Sequence, residues 1–161
     1  ATGVIQGLAL GANLPVAPVS SLAAVAVQVP ASEGGVVLVC NDARMGEVYW
    51  AQYHYDGGLR VVSEPALCAP GDVAPTAGEG ALTACGNGIS AYPDAFAGRD
   101  YAAGALTAIM PHAGEMARLG RAAFAAGSAV SAAEAQPIYL RNKVAYTSAE
   151  RQVINAAKAA A

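Results

Sequence analysis

Two adjacent hydrophobic segments with different patterns constrain the fold of this chain most strongly. Residues 35–40, GVVLVC, form an unbroken apolar run, which is typical of a strand buried on both faces. Residues 47–55, EVYWAQYHY, alternate with a period of two, which predicts a strand with two usable faces. Asp56-Gly57-Gly58 is a turn signal, so residues 59–62 are expected to return as the second arm of a hairpin.

The rest of the chain adds helices to this sheet. The helical segments are predicted at 4–12, from Leu22 toward Gln28 with Ser20 or Ser21 as the cap, at 111–127 with Pro111 in the first turn, and weakly after Asn142. The other extended segments are predicted at 16–21, 81–85 and 136–141, and residues 67–83 are expected to be rich in loops. Strands and helices that alternate in this way predict a mixed α/β layer fold.

Composition excludes several classes of protein. Nine Lys and Arg residues, a net charge of -3 and no basic run disfavour direct, autonomous binding to nucleic acid. Three widely spaced cysteines suit neither a disulfide framework nor a CxxC zinc site. The cysteines therefore indicate reduced thiols in a cytoplasmic protein. Because the longest apolar stretch, residues 16–29, is shorter than the ~20 residues of a membrane-spanning helix, we expect no membrane segment and no signal peptide.

The strongest local motif is the charged turn N-D-A-R-M-G-E at residues 41–47, which follows the buried strand. Sites for ligands often lie at such strand ends. Asp42 or Glu47 could hold a metal or act as a base, and Arg44 could bind an anion. The alternative is a structural turn in which Arg44 pairs with a carboxylate and Gly46 supplies the bend, and we favour it because no second cluster of acids or histidines accompanies the motif.

The other candidate motifs are less specific. Gly86-Asn87-Gly88 could cradle a phosphate on its backbone amides, but it lacks the third glycine and the lysine of phosphate loops, which favours a plain strand-to-helix turn. The serines and cysteines stand in no recognisable nucleophile motif. From the residues alone, no catalytic set is predicted.

Several segments, in this order, resemble the TsaB (YeaZ) family, whose members act in the biosynthesis of threonylcarbamoyladenosine in tRNA. The matching segments are T-G-V at 2–4, Q-G-L-A-L-G at 6–11, L-P-V at 14–16, V-S-S-L at 19–22, D-A-R-M-G-E-V-Y-W-A at 42–51, G-N-G at 86–88, Q-P-I-Y-L-R at 136–141 and V-A at 144–145. The family-signature turn (Asp42, Arg44, Gly46, Glu47, Tyr49) and the C-terminal signature (Pro137, Tyr139, Leu140, Arg141) are the specific parts.

The resemblance implies an actin-like ATPase (ASKHA, RNase H-like) fold, present mainly as its C-terminal lobe. Residues 1–24 are expected to be a remnant of the N-terminal lobe with an interface helix, and residues 25–161 the C-terminal RNase H-like lobe. The family's N-terminal phosphate-type motif is not in this sequence, and only Ile5 stands where the family has a longer helical stretch.

The resemblance also implies a non-catalytic subunit that pairs with TsaD and with the ATPase TsaE, with ATP and metal on TsaD and no cofactor in this chain. The predicted partner interface, shared with TsaD or with a second copy of the chain, is Gly3, Gln6, Gly7, Leu8, Leu10 and Gly11; packing within the protein is the alternative. We expect this chain by itself to keep the hairpin of residues 42–51 folded and to bind TsaD poorly. The other hypotheses are a glycoprotease-like peptidase, acting through Asp42 or Glu47, and nucleotide binding by an ASKHA cleft.

Overall fold

The computed structural model describes residues 2–30, 35–76 and 80–141, together with Ser148, Gln152 and Asn155. The helix predicted after Asn142 therefore lies outside the described residues, apart from those three positions. One mixed sheet contains β1 (Val36–Arg44), β2 (Glu47–Tyr55), β3 (Leu59–Cys68) and β4 (Leu82–Cys85), in the order β3-β2-β1-β4. The helices are α1 (Thr2–Gly11), α2 (Ser21–Ala26), α3 (Gly88–Ala91), α4 (Pro93–Phe96) and α5 (Ala113–Ala125).

The predicted strand pair forms the centre of this sheet. β1 runs antiparallel to β2, with Val36 opposite His54 and Asn41 opposite Tyr49. β2 pairs in turn with β3, also antiparallel, whereas β4 lies parallel to β1 on its other side. The apolar run at the start of β1 is fully buried, as expected of a central strand that is covered on both faces.

Each face of the sheet packs into its own core. Val37 and Val39 of β1 join α2 and the side chains of Ala51 and Tyr53 in one cluster. The alternate residues of the same strands pack into the second cluster, with α3 and α4; they are Leu38, Cys40, Val48 and Trp50. The period-two pattern of residues 47–55 is therefore confirmed, because its two faces serve the two cores.

Several boundaries differ from the prediction, and β1, for example, continues beyond Cys40 to Arg44. β3 continues through Pro65 to Cys68, although the sequence predicts that this stretch becomes loop at 67. Proline is tolerated there because β3 is an edge strand. The strand predicted at 16–21 is reduced to a single bridge between Val16 and Val130. α5 begins at Ala113, after His112 as the N-cap residue, rather than at Pro111.

α1 ends within one residue of its predicted end, and α2 begins after one of its two predicted capping serines. α1 ends at Gly11, and Asn13, with φ of 52°, lies in the left-handed conformation that ends a helix. Ser20 is the N-cap residue of α2, although its side chain makes no capping hydrogen bond. α2 spans the position, between residues 24 and 25, where the two lobes are predicted to meet, and that domain boundary stays a prediction.

Candidate functional site

The charged motif forms a tight hairpin turn between β1 and β2. Its two-residue loop is Met45-Gly46, with φ values of 60° and 76°, and positive φ at both loop positions is what a type I′ turn requires. Arg44, at a shift of the strand register, also has a positive φ of 64°. Three consecutive residues are thus left-handed, and only one of them is glycine.

Asp42 stabilises the β1 side of this turn. Its Oδ1 atom accepts hydrogen bonds from the backbone N–H of Arg44 at 2.8 Å and from the hydroxyl of Tyr92 at 2.9 Å. Its Oδ2 atom lies 3.3 Å from the Arg44 guanidinium. The hydrogen bond from the Arg44 backbone is the main reason that the pKa of Asp42 is lowered, and the Tyr92 bond acts in the same direction. Asp42 is therefore an ionised acceptor within the turn.

Arg141 stabilises the other side of the turn from far along the chain. Its guanidinium donates to Glu47 Oε2 from Nε at 3.1 Å and from Nη2 at 2.8 Å. Nη2 also donates to the carbonyl oxygens of Ala43, at 2.9 Å, and Arg44, at 3.2 Å. The same guanidinium lies 5.9 Å from the centre of the Tyr49 ring. We call this set of contacts the Arg141 clamp.

The clamp joins two segments that the sequence presents as separate signatures. Asp42, Arg44, Gly46, Glu47 and Tyr49 form the turn, and the C-terminal signature reaches it through Arg141. The other members of that signature lie beside Arg141 in an irregular segment: Pro137 and Leu140 line a groove, and Tyr139 is exposed. Sequence reasoning missed Tyr92, because nothing in its neighbourhood marks it as a partner of Asp42.

The glycine turn at 86–88 is explained by packing against β1. A Cβ atom placed on Gly86, whose φ is 97°, would lie 2.5 Å from the carbonyl oxygen of Cys40, and one on Gly88 would lie 2.8 Å from the same atom. Between them, Asn87 accepts a hydrogen bond on Oδ1 from the backbone N–H of Asp42 at 3.0 Å. These contacts favour the strand-to-helix turn over a phosphate cradle, because the turn faces the strand.

The carboxylates of the turn are thus occupied by partners within the chain. Asp42 is bound by Arg44 and Tyr92, and Glu47 is bound by Arg141. Within the described ranges, His, Cys, Asp and Glu form no group of three or more that could hold a metal ion. The structure therefore supports the structural interpretation of the motif, in which Arg44 pairs with a carboxylate and Gly46 supplies the bend.

α1 carries the residues that are predicted as a partner interface. Leu8 and Leu10 are 66% and 74% exposed, and Val4, one turn before Leu8, is also 66% exposed. The helix glycines Gly3, Gly7 and Gly11 have no atom within 4 Å of an added Cβ, so another backbone could approach closely there; Gln6 is half-buried. α1 also borders the groove, of about 640 Å³, that segments 16–22 and 136–140 line with it. The interface role of these residues stays a prediction.

Comparison with known proteins places this architecture in a family. The sequence pattern of TsaD, described as tRNA N6-adenosine threonylcarbamoyltransferase, matches residues 1–161. The chain belongs to the TsaD family. Two curated relatives are tRNA threonylcarbamoyladenosine biosynthesis proteins TsaB: that of Escherichia coli K12 is 36% identical over 149 residues, and that of Haemophilus influenzae Rd is 31% identical over 154 residues. The alignments cover 89% of this chain and 64% of each relative.

Solved structures agree with this assignment within the TsaD family. YeaZ from Pseudomonas aeruginosa superposes with a TM-score of 0.75 at 35% identity, over 87% of this chain and 66% of YeaZ. A second P. aeruginosa structure, described as an uncharacterized protein with similarity to peptidase YEAZ, gives the same TM-score at 34% identity and covers 87% and 65%. The resemblance to TsaB (YeaZ) and the predicted actin-like α/β fold are confirmed. Among the described residues, no helix is both long and apolar enough to cross a bilayer.

Proposed function

We propose that this chain is a non-catalytic assembly subunit for the threonylcarbamoylation of adenosine 37 in ANN-decoding tRNA. In this role it pairs with TsaD, and through that pair with TsaE, in the cytoplasm. The name shared by its curated relatives supports the pathway. Because the chain spans only 64% of their length, the activity and the partners of the whole proteins are carried over as part of this proposal.

The observation that carries the assembly role is the exposed apolar surface of α1. Val4 and Ile5 each lie about one turn before Leu8, so these three exposed side chains form one apolar face of the helix, and exposed apolar patches of this kind mark protein interaction sites. Contact between backbones is possible beside these side chains, since the α1 glycines have open space above them. No charged residue lies on α1, so the surface suits an apolar partner helix better than an RNA.

Light scattering after size-exclusion chromatography tests this role directly. Because this chain by itself is expected to bind TsaD poorly, the two proteins are mixed at high concentration, where a weak complex is expected. Leu8→Glu should weaken that complex by at least tenfold, because the substitution places a charge in an apolar contact. Arg121→Gln, on the exposed side of α5, is the matched control and should leave the complex unchanged. Absence of any complex at high concentration would contradict the proposal, and a mass of two copies of this chain would identify self-association instead.

A further inference from the structure

The helix α1 has little packing to stabilise it within this chain. It contains ten residues, and isolated helices shorter than ~12–15 residues are marginal in water. Ala9 is its single buried residue. α2 is shorter, with six residues, but four of them are buried. The core therefore stabilises α2, whereas α1 depends mainly on the helix propensity of its own sequence.

The sequence of α1 favours a helix only weakly. Glycine within a helix lowers the helix population about fivefold relative to alanine, and Gly3 and Gly7 both lie within α1. Neither has a positive φ or an atom within 4 Å of an added Cβ, so neither backbone conformation nor packing in the described part of the chain requires glycine there. Three of the first four residues of α1 are β-branched, and no charged residue at either end offsets the helix dipole.

The two ends of α1 are held unequally. At the C-terminal end, after the left-handed Asn13, the backbone N–H of Leu14 donates to the carbonyl oxygen of Ala9 at 2.8 Å, which closes the last turn around the buried alanine. Towards the N-terminal end, none of residues 2–8 is buried. Because segments with few buried apolar contacts open most easily, the stability of α1 decreases from its last turn towards its first.

A protein partner would supply the apolar burial that α1 lacks. The exposed face formed by Val4, Ile5 and Leu8 would leave water when the partner covers it. Tertiary burial of one apolar face is the main source of helix stability in proteins, so this contact would raise the helix population of α1.

We propose that the helix of α1 is only partly populated in the free chain and is completed when an apolar protein partner covers it. The helical form in the structure is then the form that binds. This inference rests on the proposed assembly role and adds a regulating step at the same surface. Binding must order α1, which lowers the observed affinity by the fraction of molecules in which the helix is already formed. The expected poor binding of TsaD by this chain thereby gains a physical reason.

The backbone carbon chemical shifts of the full, isotope-labelled chain measure how often each residue is helical. In the free chain, residues 3–8 are expected to be helical in less than about half of the molecules, whereas α2 should be fully helical. Gly7→Ala should raise the ratio of helical to non-helical molecules about fivefold. The melting temperature should stay within about 1 °C, because the first turns of α1 lie outside the cooperative core. Gly58→Ala, the matched control outside α1, should leave the helix population of α1 unchanged.

Saturation with TsaD should make residues 3–8 fully helical and slow the exchange of their amide hydrogens at least about tenfold. A fully helical α1 in the free chain, with Gly7→Ala raising only the melting temperature, would overturn this inference and leave the assembly role intact. An α1 that stays partly helical in the complex would also overturn it, since association would then proceed without completing the helix. Absence of any complex at high concentration would contradict the assembly role and folding on binding together.

Discussion

Removal of the Arg141 clamp should destabilise the fold by an amount that its contacts determine. Arg141→Met keeps much of the side-chain volume but deletes four hydrogen bonds, two to Glu47 and two to carbonyl oxygens. A typical intramolecular hydrogen bond contributes a net ~0.5–1.5 kcal/mol, and about 0.5–1 kcal/mol is expected for each of the two carbonyl contacts, because both come from the same Nη2 atom. Because Glu47 is 35% exposed, its ion pair is screened by water, and we expect about 1 kcal/mol from it. With the two carbonyl contacts, the expected total loss is about 2–3 kcal/mol.

Urea unfolding, followed by the fluorescence of Trp50, the single tryptophan, measures this loss. A double-mutant cycle with Glu47→Ala isolates the ion pair, and its coupling energy should be about 1 kcal/mol. If the two substitutions were additive within about 0.3 kcal/mol, the contact of Arg141 with Glu47 Oε2 would not contribute to stability and the reasoning would be refuted. A destabilisation below about 0.5 kcal/mol for Arg141→Met would show that the carbonyl contacts are also unimportant.

Three further predictions concern the surroundings of the turn. Gly86→Ala should cost at least about 2 kcal/mol of unfolding free energy, since its new methyl group would meet the β1 backbone, whereas the exposed Gly58→Ala should cost less than about 0.5 kcal/mol in the same urea assay. Because the pKa of Asp42 in the folded chain is lower than its ordinary value of 3.8, the ionised carboxylate stabilises the fold at pH values above 3.8. This contribution is lost as the pH falls through the lower pKa of the folded state. A plot of melting temperature against pH should therefore fall less steeply in acid for Asp42→Asn than for the unsubstituted chain, and equal slopes would contradict the assignment. Only Cys68 should react with a thiol reagent in the folded protein. Cys40 and Cys85 are fully buried, and burial raises the pKa of each to about 12, whereas Cys68 is only half-buried, although burial raises its pKa as well. Three reactive thiols without denaturant would disprove this.

Much of the fold could be predicted from local patterns. The apolar run of β1 and the alternation along β2 are properties of consecutive residues, so both strands and both of their packing faces were identified correctly. The far end of β3 was missed because Pro65 normally argues against a strand, and only the sheet order shows that this strand lies at an edge. The predicted start of α5 was two residues too early, because proline is common in the first turn of a helix and the sequence does not distinguish Pro111 from Ala113 as the first helical residue.

The site was predictable only in part, for a related reason. The turn motif carries its own signals, and the pairing of Arg44 with a carboxylate follows from residues two positions apart. The contact between Arg141 and Glu47 joins residues 94 positions apart, and no local pattern encodes such a pair. The resemblance to a family identified both segments as signatures but gave no indication that they touch.

The same sequence separation has a consequence for the order of folding. The β1–β2 hairpin closes a loop of two residues and can form early, whereas Arg141 must close a loop of 94 residues before it reaches the turn. The clamp is therefore expected to form after the transition state. Arg141→Met should then accelerate unfolding and leave the folding rate almost unchanged, so that the clamp controls how long a folded molecule survives rather than how quickly it forms.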